Sequence, residues 1–264
     1  MNTLLEKQNR RTVSKNRRAG NPAAGASGRA FRGAVCLQAA LLLLFAAFPL
    51  FAQTQEPARP DALQNYRIGR DLEARSRLEE ANVYYNEAIR ICTEELSGNG
   101  SNMDSYTVLT WAMLRQRRYS EVIAWGDRGL RYDRNDFRIV ETMGEAYFYL
   151  NDYGRSLASM QRYVNAMPRG ERASTAYFFM GEIFRNQRKY LHADIAYTTA
   201  VSLEGSMILW WYRLGSVRES AGEFASAIEA YEKALALNPN YRDASEALER
   251  ARRQNTASNS LPGT

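Results

Sequence analysis

The residues best able to do chemistry are few and scattered. His192 is the only histidine in the 264 residues. A zinc site needs three or four ligands; Asp194 lies two positions on, on a different helical face, and no paired cysteines accompany it. Gly154-Arg155-Ser156-Leu157-Ala158 comes close to the G-x-S-x-G nucleophile elbow. That elbow requires a strand ahead of it, and here the stretch falls at a turn into a helical pattern. Gly98-Asn99-Gly100 has no preceding strand and no following lysine, so it reads as a loop and not a phosphate cradle. Lys189 and Lys233 are the only lysines past the first fifty residues, and no carboxylate pair is singled out by spacing. With no nucleophile set against a base, the chain is expected to be a non-enzyme with no catalytic, cofactor or metal residue.

The elements around these residues are informative. Ile208 to Tyr241 reads as two short helices folded back on each other. Trp211, Leu214, Gly215 and Arg218 share one face at three-and-four spacing. Gly222 ends the first helix. Phe224, Ala227, Ile228, Tyr231, Ala234 and Leu235 make the second apolar stripe, and Pro239 stops it. Small residues alternate with large ones, as closely crossing helices require.

Trp211-Tyr212-Arg213-Leu214-Gly215, Gly222-Glu223-Phe224, Ala227, Tyr231, Ala234 and Pro239 resemble the tetratricopeptide repeat, a 34-residue helix-turn-helix unit. The pattern recurs at the same period. Tyr177, Met180-Gly181, Phe184, Tyr190, Ala193, Tyr197 and Ala200 stand in step over 174–207. Met143-Gly144, Tyr147, Tyr153 and Pro168 mark 137–170, where Ser156, Met160 and Tyr163 depart from the pattern and predict different packing. Tyr106, Leu109, Met113 and Tyr119 hold a worn copy over 103–136, with Thr110, Gly126 and Gly129 out of type. Ile68-Gly69, Leu78, Ala81, Tyr85 and Ala88 mark 62–95. Inserts at 96–102 and 171–173 separate the copies. The resemblance implies an all-α fold, a right-handed α/α superhelix of five repeats. Such solenoids need three or more units and a wettable end. Residues 242–254 suit a closing cap helix, and 255–264 are expected to be a disordered tail.

In this family the first helices of successive units line a concave groove that holds a partner segment. Carried over position by position, the resemblance picks out Tyr66, Arg70, Trp111, Leu114, Arg138, Glu141, Glu145, Phe148, Tyr149, Phe178, Glu182, Arg185 and Tyr212. Aromatic anchors with charges to set register suit a peptide. The family's lysine-asparagine clamp on a C-terminal carboxylate is not reproduced, since its places in the first unit hold Tyr66 and Arg70.

The formal charge of +6 comes from the N-terminus. Residues 1–52 hold eight basic side chains and one acid, a net of +7, which leaves −1 for the rest. A near-neutral repeat body argues against nucleic acid as the partner. Residues 1–33 are a basic stretch expected to be disordered. Residues 34–52 contain the apolar run Ala39 to Phe48, the length of a secretory h-region. The segment resembles a bacterial signal peptide cut after Ala52; uncleaved, 34–52 would be a membrane anchor. Either outcome places the repeats outside the cytoplasm, in the periplasm or tethered to the membrane. Cys36 and Cys92 cannot form an internal disulfide once the leader is gone. Residues 53–61, with two prolines, form a linker. The expected function is a protein-binding adaptor, with a structural subunit of an envelope assembly or a small-molecule or lipid-binding solenoid as alternatives.

Overall fold

The computed structural model describes residues 61–260; the leader, most of the linker and the last four residues lie outside the described residues. Eleven helices follow one another in this stretch: α1 (Ala62–Ala74), α2 (Leu78–Gly98), α3 (Met103–Arg115), α4 (Tyr119–Gly129), α5 (Phe137–Tyr149), α6 (Tyr153–Ala166), α7 (Ala173–Asn186), α8 (Tyr190–Leu203), α9 (Ile208–Ser220), α10 (Phe224–Leu237) and α11 (Arg242–Ser260). Each packs mainly on its neighbours in sequence; in addition α1 touches α3, α3 touches α5 and α5 touches α7. The fold is an all-α solenoid of five helix pairs closed by α11.

The phase is written in the turns. Five residues in this stretch have positive φ: Ser76, Arg117, Asn151, Arg188 and Gly222. Each is the fifteenth position of its repeat. In every case the next residue's N–H reaches back to the helix that has just ended: Arg77 to Leu72 O (3.0 Å), Arg118 to Met113 O (3.0 Å), Asp152 to Tyr147 O (2.9 Å), Lys189 to Phe184 O (2.9 Å) and Glu223 to Arg218 O (2.9 Å). This bond, spanning five residues, is the Schellman closure that satisfies orphan carbonyls at a helix end. Only one of the five positions carries glycine, so the sequence pattern shows the turn only at Gly222. Helix starts are capped where a short polar side chain is available. The Asp61 carboxylate accepts from Gln64 N at 2.7 Å and that of Asp152 from Arg155 N at 3.0 Å.

Within a pair the helices cross at a missing Cβ. A methyl at Gly215 would lie 2.6 Å from the Tyr231 ring, and Gly69 and Gly181 stand in the same relation to Tyr85 and Tyr197. The two central pairs solve the crossing differently. In the third, Met160 replaces the tyrosine over Gly144, and the buried Ser156 hydroxyl donates to Gly144 O at 2.7 Å. In the second the thin place moves to the other helix: Thr110 takes the glycine position, while the space at Gly126 is filled by Met143 and Ile139 of the next pair. The altered packing expected from Ser156, Met160 and Tyr163 is present.

Three expected boundaries shift. The 96–102 insert is helical as far as Gly98, because Leu96 is buried and continues the apolar stripe of α2. The 171–173 insert gives its last residue, buried Ala173, to α7. Residues 255–260, expected as part of a disordered tail, continue α11. There the Thr256 and Ser260 hydroxyls donate back to Arg252 O and Ala257 O, and no helix-stopping residue precedes Pro262.

Candidate functional site

Odd-numbered helices, the segments between pairs and Tyr119 at the start of α4 line an open cavity of about 550 Å³. From α1 come Arg67, Arg70, Asp71 and Glu73; from α3 and its turn, Leu114, Arg115 and Arg117. Tyr119, Glu145 and Tyr149 follow, then Glu171, Arg172, Ser174, Thr175, Phe178 and Phe179. Glu204, Met207 and Trp210 complete the wall. First and fourth repeats thus face one space.

The floor is built from ion pairs. Arg115 of α3 reaches back to Glu73 of α1, with its Nε 2.8 Å from Oε2 and its Nη2 on Oε1. The Tyr85 hydroxyl donates to the same Oε2 at 2.6 Å. Arg172, half exposed at the start of α7, reaches back to α5: Nε to Glu141 Oε1 (3.1 Å), and Nη2 to Glu145 Oε2 (2.8 Å) and Glu141 Oε1 (3.0 Å). Both carboxylates lie beneath it, Glu141 with 4% and Glu145 with 10% of the side chain exposed. One guanidinium therefore serves two acids. Burial pushes the Glu141 carboxyl above the usual glutamate range; Arg172 pulls it back down, and Glu145 pushes it further up. Burial raises the Tyr66 hydroxyl against the pull of Arg70, Arg115 and Arg172.

Half-buried Tyr119 and Tyr149 stand over this floor, backed by the buried rings of Phe178, Phe179 and Trp210. Tyr119 and Tyr149 stack at 4.8 Å and 15°, and Phe179 meets Tyr149 edge-on at 6.0 Å. Phe178 and Trp210 stack at 5.1 Å and 16°.

Of the residues expected to line the groove, Arg70, Leu114, Glu145, Tyr149 and Phe178 do so. Phe178 presents little surface, being 2% exposed. Tyr66 and Trp111 are half-buried and pack on each other at 5.5 Å, outside the cavity lining. Glu141 lies below the lining, held by Arg172. Several others are structural. Phe148 is a core residue against Phe179 and Tyr153. Glu182 is buried, accepting from the Tyr197 hydroxyl at 2.5 Å and pairing with Arg185 (2.9 Å) and Arg213 (3.0 Å), so Arg185 is committed there too. Tyr212 packs on Tyr231 and Tyr241 under the cap. Arg138 is engaged with Asp104 and Asp136 away from the cavity. Helical position misplaces these residues because it does not say which side chains a buried partner will draw inward.

Sequence reasoning missed Arg172 and Arg115. The first sits in the three-residue insert, and an insert that brings an arginine opposite Glu141 and Glu145 was the available signal. Arg115 follows the groove positions by one residue and reaches in through its length.

The residues with the side chains for chemistry have structural surroundings. Exposed His192 lies beside Phe184, and Asp194 pairs with Arg218 at 2.7 Å. Ser156 is buried and bonded to backbone. Cys92 is buried, which pushes its thiol up to about 12. Among the described residues no group of three or more His, Cys, Asp or Glu is disposed to hold a metal ion, and no helix is long and apolar enough to cross a membrane.

Residues 208–241 match the tetratricopeptide repeat family model. Among solved structures the chain is similar to MamA, at 17% identity and a TM-score of 0.54 over 65% of this chain and 95% of that one. A second MamA structure, comprising residue 41 to the end and from Desulfovibrio magneticus RS-1, gives 18% identity and 0.54 over 68% and 96%. YrrB, described as a TPR protein with an unusual peptide-binding site, gives 18% and 0.50 over 72% and 92%. At such identities the likeness is one of fold: a tetratricopeptide-repeat solenoid. No protein of curated function matches the sequence.

Proposed function

We propose that this chain is a non-enzymatic adaptor that holds a segment of a protein partner in the cavity between its odd-numbered helices. The observation that carries this reading is the cavity itself. It is about 550 Å³, within the range of ligand pockets, and combines half-buried Leu114, Tyr119 and Tyr149 with fixed guanidiniums and carboxylates. A tetratricopeptide-repeat fold, and a structurally similar protein described by its peptide-binding site, support a peptide as the class of ligand. Export across the cytoplasmic membrane is part of the same proposal and rests on the apolar run in 34–52 and the basic residues ahead of it.

Two measurements test it. Leu114→Ala with Tyr149→Ala removes half-buried contact area from the wall, and a crosslinking pull-down with the tagged full chain is expected to lose its main partner. Unchanged recovery, with the helical circular dichroism intact, rules the cavity out as the binding place. For export, protease added to spheroplasts should digest the repeats; protection would place them inside.

A further inference from the structure

The cavity floor pairs most of its charges internally, whereas its two rims carry unpaired charge of opposite sign. We infer that the partner segment is an extended peptide with a carboxylate at one end, a basic side chain at the other and an apolar side chain between them. This deepens the groove reading above and rests on it.

On the first rim Arg67 and Arg70 stand one turn apart on α1, both exposed, and neither makes an ion pair among the described residues. Arg117, itself partnered, adds positive charge at this end, against Asp71 and a Glu73 already paired with Arg115. On the opposite rim Glu171 precedes α7 and Glu204 precedes α9, and neither pairs with a cation among the described residues. Glu204 is held in place, its Oε1 accepting from the Ser206 hydroxyl at 2.5 Å and from Ser206 N at 3.3 Å. Between the rims, half-buried Leu114 and Tyr149 offer an apolar face. A cleft with low-dielectric walls and opposite charges at its ends orients a dipolar ligand and repels one with a single sign of charge.

The test is calorimetric titration of the full chain with acetylated, amidated heptapeptides, Glu-Ser-Ala-Phe-Ala-Ser-Lys and its Gln/Gln, Glu/Glu and Lys/Lys counterparts. At low salt the Glu/Lys peptide is expected to bind about fivefold or more tighter than the Gln/Gln peptide. The exposed-site variant Arg67→Glu with Arg70→Glu should lose that advantage and come to prefer Lys/Lys. Glu171→Lys with Glu204→Lys should come to prefer Glu/Glu. Equal affinity for all four peptides in all three proteins would overturn the polarity and leave the groove reading standing. An advantage that survives both reversals would also overturn it. Binding of no peptide to the unaltered chain would count against both.

Discussion

Two carboxylates in this molecule meet arginine in opposite ways. At the cap, Glu219 of α9 accepts from the Tyr231 hydroxyl at 2.8 Å and from Arg250 of α11 at 2.6 and 2.8 Å. In the middle, Glu141 shares Arg172 with Glu145. Burial pushes Glu219 up, but the bonds from Arg250 and Tyr231 outweigh it and hold the carboxyl below its usual range. At Glu141 burial wins and the carboxyl is raised. One acid with two donors fastens the cap helices together. Two acids on one cation leave the cavity floor one positive charge short.

Arg172→Gln should have the greatest effect on stability, because it strips two carboxylates of their only ion-pair partner among the described residues. A cost of about 2–3 kcal/mol at pH 7 is expected, less than the roughly 3–5 for a fully buried pair because Arg172 is half exposed to water. Urea melts at pH 7 and pH 5 check it: the deficit should shrink at pH 5 as one carboxylate takes up a proton. A deficit that does not change with pH would mean the arginine acts by packing alone.

Gly215→Ala drives a methyl into the Tyr231 ring and should cost about 1–3 kcal/mol. Gly154→Ala, on an exposed helix face where a methyl would come no closer than 3.9 Å to its neighbours, should gain about 0.5–1 kcal/mol from backbone entropy. Thermal melts distinguish the two, and equal effects would contradict the crossing described.

The pH dependence separates the acids directly. A depressed carboxyl contributes stability above its unfolded pKa, lost as pH falls through the folded value. Glu219→Gln should therefore cost about 1 kcal/mol at pH 7, and that cost should shrink as pH falls below the usual glutamate range. A raised carboxyl works the other way: its contribution is present below the unfolded pKa and is lost as pH rises through the folded value. Glu141→Gln should match or exceed the natural protein at pH 7 and lose that advantage toward pH 4. If both variants follow the same pH course, the two acids do not differ in the way described.

A turn should give the least change. Arg188 holds φ at 58°, a region that costs a side-chain-bearing residue about 1–2 kcal/mol. Arg188→Gly should stabilise by about 0.5–1 kcal/mol after the added chain entropy, measured by denaturant midpoint.

Much of this fold is legible in the sequence because the repeat is periodic. Gly69, Gly181 and Gly215, each sixteen residues ahead of its tyrosine, give helix pairing and register from spacing alone. The left-handed turns at Ser76, Arg117 and Arg188 are not legible, since closure of the Schellman bond imposes that conformation on residues that do not prefer it. The cavity is half legible. Helical position finds Arg70, Leu114 and Tyr149, whose surroundings follow from the repeat. It cannot rank Glu182 or Phe148, whose burial depends on Arg213 and Phe179 arriving from neighbouring units. Arg172 is hidden because an insert falls outside the repeat frame.

Whether the cavity is where a partner sits can be read by photo-crosslinking in cells, with a crosslinkable residue placed at Tyr149 on the cavity wall or at Ile195, 59% exposed on α8. Binding in the groove predicts a discrete partner adduct from position 149 and none from 195. An adduct from 195 alone would move binding to that outer helix and contradict the groove.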